Sequence, residues 1–141
     1  MTLTLEADYA VRMVYFLAAA GRRMGARAVA EETGVPPRFT LKILRELVGA
    51  GLIRSFKGKR GGYELARPAD TITLRQIIET VEGDLAFCRC LGDGFVCSNR
   101  GSRPCAFQRV YDELTEMIVQ KLDSVTIGSM LPPLSDGDAA S

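Results

Sequence analysis

Residues 35–65 have the sequence VPPRFTLKILRELVGAGLIRSFKGKRGGYEL, and they contain the main helix and hairpin signals of the chain. Its two prolines open a helix, because proline is accepted in a first helical turn, and apolar residues then recur at helical spacing as far as Gly49. Residues 52–56 and 63–65 are short apolar segments on either side of a basic, glycine-rich turn, a pattern that predicts a β-hairpin. A hairpin that directly follows a helix-turn-helix is a wing.

The segments before this stretch supply the other helices of the helix-turn-helix. Residues 5–21 are dense in apolar positions with a helical period, which predicts a largely buried helix ended by Gly21. A short second helix is expected over residues 26–33, with Gly34 as a left-handed stop. In the third helix, four apolar residues are expected in the core rather than at a binding surface: Phe39, Leu41, Ile43 and Leu44.

The segments after the hairpin predict two more helices separated by a loop. Thr73 and Gln76 have the spacing of a capping box for a helix within residues 70–83. Residues 84–104 break all periodicity, and so long a segment without secondary structure is uncommon in a compact domain unless it is functional. A long helix from about residue 105 to 124 then carries apolar residues every three or four positions, which favours packing on a partner helix over packing on the chain's own first helix.

The expected fold class is therefore mainly α with a small β-hairpin, a winged helix-turn-helix with a long C-terminal dimerisation helix. The expected organisation is a winged helix-turn-helix domain over residues 1–83, a cysteine-rich loop over 84–105, a dimerisation helix with a short terminal turn over 106–131, and a flexible tail over 132–141. Thr126 is expected to cap the terminal turn.

Composition excludes several classes of protein. Hydrophobic residues make up 47% and charged residues 25% of the chain, an ordinary globular balance. No apolar run approaches the ~20 residues needed to cross a bilayer, and the N-terminus lacks the basic region of a signal peptide. We therefore expect a cytoplasmic protein, in which cysteines are metal ligands or redox-active thiols rather than disulfides. The chain has no histidine, no P-loop and no GxSxG motif, so an enzyme is not expected.

The net charge of +1 conceals a basic segment. Between Arg22 and Tyr63 there are ten Lys and Arg residues against three acidic residues, which leaves +7. A local excess of this kind suggests a polyanion-binding surface, although a solvated charged face is the simpler reading of charge alone. Basic or polar residues at the start of a recognition helix reach base edges, and wing cations reach phosphates or the minor groove. The candidate DNA contacts are Arg27, Arg38, Thr40, Lys42, Arg45, Lys57, Lys59 and Arg60.

Five sequence segments together resemble a known family, the bacterial iron–sulfur and redox-responsive winged-helix repressors typified by IscR and NsrR. The resemblance covers roughly residues 1–131 and implies a homodimer on an inverted-repeat DNA operator, with the long C-terminal helix at the dimer interface. The matching segments are LT (3–4) with DYA (8–10), FTLKIL (39–44), AGLI (50–53), SFKGKRGGY (55–63) and ITLRQIIETVEG (72–83).

Four cysteines lie within 18 residues with the spacing C-x-C-x6-C-x7-C. Thiolates are soft ligands that suit iron–sulfur clusters or zinc. Structural zinc usually uses C-x2-C knuckles, which are missing here, and the wide spacing suits a loop around a larger object such as a cluster. From the residues alone, a metal or cluster site, thiol redox chemistry and inert cysteines all remain open.

The resemblance implies an iron–sulfur cluster, [4Fe-4S] or [2Fe-2S], held by Cys90, Cys97 and Cys105. Cys88 is additional, and its possible roles are a fourth ligand, a resolving thiol or none. The histidine that IscR-like proteins use is excluded, because this chain has none. In NsrR-like relatives an acidic residue near the N-terminus reaches across from the partner subunit, and Asp8 stands at the matching position with Glu6 as a fallback. The simpler reading of Asp8 is a favourable acid in the first turn of a helix.

The sequence features predict a DNA-binding protein, and the resemblance implies that it is a dimeric transcriptional regulator, a repressor. The resemblance also implies that its operator binding is controlled by a cluster that senses nitric oxide, redox or iron–sulfur status. The alternative is a cluster-free winged-helix repressor that senses through thiol oxidation or a partner protein. A zinc-stabilised interaction module is a third reading, which metal analysis would separate from the first.

Overall fold

The computed structural model describes residues 2–91, 97–98 and 105–133. The predicted tail from residue 134 onward, and much of the cysteine loop, lie outside these residues. The described elements are α1 (Leu5–Ala20), α2 (Ala26–Thr33), α3 (Pro37–Gly49), β1 (Ile53–Phe56), β2 (Gly62–Leu65), α4 (Leu74–Glu82), α5 (Ala106–Ser124) and α6 (Ile127–Met130), with short 3-10 turns at Ala69–Thr71 and Arg89–Leu91.

Local side-chain chemistry sets where the helices begin and end. The Thr4 hydroxyl accepts from the backbone N–H of Ala7 at the start of α1. Gly21, at φ 64°, ends α1 in the left-handed region where glycine carries no steric cost. Thr73 and Gln76 form the capping box that the sequence predicts for α4, with both reciprocal hydrogen bonds present.

The core lies where α1 crosses the helix-turn-helix and α4. It contains Met13 and Leu17 of α1 and Ile43, Leu44 and Leu47 of α3, all buried. Burial of apolar surface at about 25 cal/mol per Å² is the main stabilising term for such a layer. This packing buries one face of α3 and leaves the opposite face of the helix exposed to solvent.

The hairpin after α3 pairs β1 and β2 antiparallel, with Phe56 opposite Gly62. Met24, in the loop between α1 and α2, adds a bridge on the outer side of β2 through two backbone hydrogen bonds with Tyr63 of 2.8 and 2.9 Å. A Cβ at Gly62 would lie 2.7 Å from the Met24 carbonyl oxygen, and the φ of Gly62 is 139°. Only glycine therefore allows the Met24 backbone to approach this closely.

Helix α5 is fastened to its own winged-helix domain at its C-terminal end. The Leu74 N–H donates to the carbonyl of Val125 at 2.9 Å, and the Ile127 N–H donates to the carbonyl of Ile72 at 2.8 Å. Thr126 caps α6 by accepting from the Ser129 N–H, as the sequence predicts. The end of α5 is consequently tied to the start of α4.

Among the described residues, no helix combines the length and the apolar character that crossing a bilayer requires.

Candidate DNA-binding surface and cysteine site

The outward face of α3 presents four residues at positions i, i+3, i+4 and i+7. They are all exposed: Arg38, Leu41, Lys42 and Arg45. Residues at these intervals share one side of a helix. Three cations flanking one apolar side chain form a surface that suits the acceptor-rich edges and methyl groups of the DNA major groove. We call these four residues the α3 face.

Leu41 and Thr40 exchange the environments expected from the sequence. Leu41 was expected in the core and is 52% exposed, whereas Thr40, a candidate base contact, is 2% exposed. The Thr40 hydroxyl donates to the carbonyl of Pro36 at 3.1 Å, which removes the cost of burying it. The expectation of an outward-facing Thr40 is therefore wrong, and its place on the α3 face is taken by Leu41.

Lys42 makes a contact within the protein that the sequence did not suggest. Its ammonium group lies 3.0 and 3.2 Å from the two carboxylate oxygens of Glu6 in the first turn of α1. The hydrogen bond that Lys42 donates to Glu6, and then the negative charge of Glu6, raise the pKa of Lys42 above its ordinary value. A carboxylate therefore competes with any phosphate or base acceptor for this lysine.

The other helical cations differ in how they are held. The Arg38 guanidinium lies over the Phe39 ring, 4.8 Å from its centroid, and this contact limits the range of the side chain. Arg27, at the start of α2, is 92% exposed along its side chain and forms an ion pair with Glu31 one turn later. An ion pair this exposed contributes little, so Arg27 is readily available to a DNA phosphate.

The wing exposes all three of its candidate cations, Lys57, Lys59 and Arg60. Its turn is closed by a hydrogen bond from the Gly61 N–H to the carbonyl of Gly58, at 2.9 Å. Arg23, in the loop after α1, stacks on the Phe56 ring at 3.4 Å and lies 3.6 Å from the Glu64 carboxylate. The sequence analysis did not single out Arg23, since nothing in the local pattern places it against the hairpin.

The cysteine site lies in residues 88–105, just before α5. All four cysteines are partly buried. The Cys88 and Cys90 thiols are hydrogen-bonded to each other, and this contact, followed by desolvation, raises the pKa of Cys90 above its ordinary value. Cys105 lies close enough to add a smaller upward effect on the same pKa. The structure thus brings three of the four thiols into one neighbourhood.

A metal-ligand group is not complete in the described part of the chain, where no three of its acidic and cysteine side chains are arranged to hold a metal ion. Cys97 is described only with Ser98, between two stretches that fall outside the description. The soft, clustered thiols still fit the chemistry of an iron–sulfur cluster. A bound metal replaces thiol protons, so the raised pKa of Cys90 makes its ligation more favourable at higher pH.

Asp8, the candidate fourth ligand, lies in the first turn of α1. Its carboxylate forms an ion pair with Arg12 at 2.6 Å, and both side chains are more than 40% exposed. An exposed pair one helical turn apart is weak, so a stronger ligand can displace Arg12. Glu6, the fallback, already holds Lys42.

The start of the cysteine segment is tied to the middle of α5. The Phe87 N–H donates to the Thr115 hydroxyl at 3.0 Å, and the Phe87 ring lies 5.6 Å from that of Tyr111. Beside this contact, a largely apolar groove of about 520 Å³ runs between α1, α4 and α5, lined in part by Val11, Ile78 and Ile118. Phe87 therefore ties the start of the cysteine segment to the middle of α5.

Comparison with known proteins identifies the family. Residues 3–133 match the Rrf2 family, described as "Iron-dependent Transcriptional regulator". Protein aau3 of Rhizobium meliloti is 38% identical over 95 residues, which is 67% of this chain and 62% of that protein. A Mycobacterium tuberculosis protein, named as a candidate HTH-type transcriptional regulator, is 38% identical over 96 residues, 67% of this chain and 60% of its own length. The chain spans only about three fifths of these relatives.

Two solved structures have the same fold. The T. potens IscR structure has a TM-score of 0.76 at 23% identity and covers 100% of this chain and 97% of its own. The structure of CymR, the global cysteine regulator of B. subtilis, has a TM-score of 0.75 at 21% identity, with coverage of 92% and 95%. The winged-helix fold predicted from the sequence is thereby confirmed.

The family match extends across both DNA-binding elements, the cysteine site and α5. It also confirms the resemblance drawn from the sequence segments. This chain belongs to the Rrf2 family, a family of transcriptional regulators and not of enzymes.

Proposed function

We propose that this chain is a homodimeric repressor that binds double-stranded DNA at an inverted-repeat operator, under the control of an iron–sulfur cluster at its cysteine site. The observation that supports DNA binding most strongly is the α3 face. Three outward cations follow the helical repeat, and three more lie on the exposed wing beside it. A recognition helix in the major groove with an adjacent wing uses this arrangement.

Cys90, Cys97 and Cys105 are the residues that would hold the cluster, with Asp8 of a second copy of the chain as fourth ligand and Cys88 as its alternative. The support is the shared neighbourhood of Cys90 and Cys105 and the weak exposed pair that occupies Asp8. When bound, an iron–sulfur cluster supplies redox-sensitive iron–thiolate chemistry. A carboxylate ligand is harder than a thiolate and exchanges more readily, which suits a sensor.

The chain's own contacts give a route from this site to the DNA-binding elements. Phe87 couples the cysteine segment to α5 through Thr115, and the backbone bonds at Val125 couple the other end of α5 to α4. Because α4 packs on α1 and α3, the arrangement of the cysteine segment bears on the placement of the α3 face. In a dimer this placement sets the separation of two recognition helices, about one turn of DNA apart.

The experiment is anaerobic purification followed by iron and sulfide analysis and DNA binding. A random duplex pool first selects the preferred sequence, and affinity for that duplex is then measured with cluster-loaded and metal-free protein at one salt concentration. We expect brown protein that absorbs near 400 nm and an affinity that differs by about tenfold or more between the two forms, within the range of allosteric couplings. Equal DNA affinities of the cluster-loaded and metal-free protein would show that the cluster does not control DNA binding. Cys97→Ala and Asp8→Ala test the ligands by their iron content.

A second candidate function is a cluster-free regulator that senses thiol oxidation. The observation that favours it is the hydrogen-bonded pair Cys88 and Cys90, two thiols already in contact. Among solved structures of this fold is CymR, the global cysteine regulator of B. subtilis. This second function would be supported if the anaerobically purified protein were colourless and without iron. Its DNA affinity should then change on mild oxidation and recover with a dithiol reductant.

A further inference from the structure

We infer that Arg23 is a positioning residue for DNA binding, which clamps the wing in place and acts through Lys59 and Arg60. The inference rests on the proposed DNA-binding function. Arg23 lies outside the candidate contacts and belongs to the loop between α1 and α2.

Arg23 touches the hairpin at three separate points. Its guanidinium carbon lies 3.4 Å from the centroid of the Phe56 ring on β1. Its Nη1 donates to the backbone carbonyl of Arg60 in the wing turn at 3.3 Å, and its Nε lies 3.6 Å from the Glu64 carboxylate on β2. One planar side chain therefore joins β1, the wing turn and β2 to the helix-turn-helix.

The register of the hairpin explains why this position needs a planar cation. Phe56 lies opposite Gly62, so no side chain lies directly across the hairpin from its ring. Gly62 has to be a glycine, because a Cβ would collide with the Met24 carbonyl oxygen. The Arg23 guanidinium covers the ring from the adjoining loop, and arginine stacks on aromatic faces better than lysine because it is flat and weakly hydrated.

The clamp matters because the hairpin is otherwise weakly held. A two-stranded hairpin is marginally stable by itself in water, and this one has four residues in each strand. Lys59 and Arg60 lie within the Gly58–Gly61 turn at its far end, where loss of the clamp lets them move most. Cations that are held near their phosphate partners lose less conformational entropy on binding than mobile ones.

The first test follows the wing without DNA. Amide hydrogen exchange over residues 53–66 is compared in the wild type, Arg23→Ala, Arg23→Lys and Phe56→Leu. Arg22→Ala is the matched control, since it removes the same charge from the same loop while leaving the Arg23 contacts in place. We expect faster exchange in the first three variants and no change in Arg22→Ala. Uniform exchange rates in all five proteins would overturn the clamp.

The second test measures affinity for a 30-base-pair random-sequence duplex against salt concentration. If Arg23 holds the wing, Arg23→Lys weakens binding about threefold or more although it keeps the charge, and the slope of log affinity against log salt falls by about one to two. Lys59→Ala then has little additional effect in the Arg23→Ala background. If Arg23→Lys binds like the wild type, Arg23 is a phosphate contact and the positioning role is wrong. Failure of the wild type to bind any duplex would instead refute the proposed function.

Discussion

Leu41 is the side chain on the α3 face that no simple charge argument would select. It is half exposed between Arg38, Lys42 and Arg45, with no core to fill. In a major groove, the feature that rewards an aliphatic side chain is the thymine methyl group. Leu41 is thus the residue through which this chain would distinguish thymine from cytosine.

Replacing Leu41 by Ala should remove a preference for thymine at one position of each half-site. In the selected duplex, uracil is substituted for thymine one position at a time, which deletes only the methyl group. We expect the wild type to lose roughly threefold to tenfold in affinity at one such position and Leu41→Ala to be insensitive there. Thermal unfolding should be unchanged, since exposed substitutions lie within about 0.5 kcal/mol. Identical uracil profiles for both proteins would contradict the assignment.

Glu6 is expected to weaken DNA binding by occupying Lys42. Because the carboxylate raises the lysine pKa from an already high value, the Lys42 ammonium group stays charged at neutral pH. Glu6→Gln should raise affinity for duplex DNA about twofold to fivefold at low salt, with a smaller gain as screening increases. Glu79→Gln is the control, because Glu79 pairs with Arg75 on α4. Equal effects of both substitutions would show only a change in net charge.

The exchange between Thr40 and Leu41 shows where pattern analysis stops at this scale. Thr40, Ile43, Leu44 and Leu47 form the inward stripe of α3 at helical spacing, with a polar residue at its first position. Hydrophobicity alone assigns Leu41 to the core and Thr40 to the surface. The assignment reverses because the threonine hydroxyl is satisfied by the Pro36 carbonyl, a contact that depends on the local helix start.

At the level of elements, the helix boundaries were well predicted because their signals are local. Gly21, Gly34 and the Thr73–Gln76 box all terminate or start helices as expected. The contact between Met24 and Tyr63 could not be predicted, since it joins a loop to a strand 39 positions later through backbone atoms. The hydrogen bond from the Phe87 N–H to the Thr115 hydroxyl could not be predicted either, since it also joins residues far apart in sequence. This bond carries the proposed coupling between the cysteine segment and α5.

Thr115→Val should uncouple the cysteine site from DNA binding. It removes the acceptor for the Phe87 N–H while keeping the shape of the side chain. We expect the ratio of affinities between metal-loaded and metal-free protein to move towards one, with iron content retained. Thr80→Val is a matched control. The Thr80 hydroxyl, like that of Thr115, donates to the carbonyl four residues earlier, but Thr80 lies on α4 and not on α5. If Thr115→Val keeps the wild-type ratio of DNA affinities between metal-loaded and metal-free protein, the Phe87 contact does not couple the cysteine site to DNA binding.

For the whole molecule, α5 presents two adjacent faces with different exposure. One face packs towards the chain's own domain through Tyr111, Thr115 and Ile118. The other carries Phe107 and Met117, which are 64% and 66% exposed, with Val110 between them. Apolar residues this exposed, at steps of three and seven positions along one side of a helix, are typical of a helix that packs on a partner. This split supports the dimer interface proposed from the sequence.

Charges in this stripe should therefore break the dimer. The double variant Phe107→Glu with Met117→Glu should sediment as a monomer in sedimentation velocity. Its affinity for the inverted-repeat duplex should fall by about a hundredfold or more, because a monomer contacts only one of the two half-sites. Gln108→Glu is the control, because it adds the same kind of charge at a partly exposed position of α5 on the side away from Val110 and Met117. Dimers that persist in the double variant would place the interface elsewhere.

The global fold was predictable because its decisive signals lie in one contiguous stretch, residues 35–65, with a long periodic helix to follow. The cysteine site was predictable only as a set of ligands. Its geometry depends on segments between the cysteines that carry no periodicity, and the proposed fourth ligand, Asp8, would belong to a second copy of the chain. Neither the loop path nor a contact between subunits leaves a local pattern to detect.

The joint between α5 and α4 is made by main-chain groups at Val125, Leu74, Ile127 and Ile72. Main-chain hydrogen bonds survive replacement of the side chains. The residues around this junction can therefore change during evolution while α5 stays connected to the winged-helix domain. Gly128 is the exception, since a Cβ there would lie 2.9 Å from the Asp70 backbone nitrogen, which cannot move aside as the Asp70 carboxylate can. Substitutions can therefore accumulate in the cysteine segment at one end of α5 while the main-chain junction at its other end keeps its geometry.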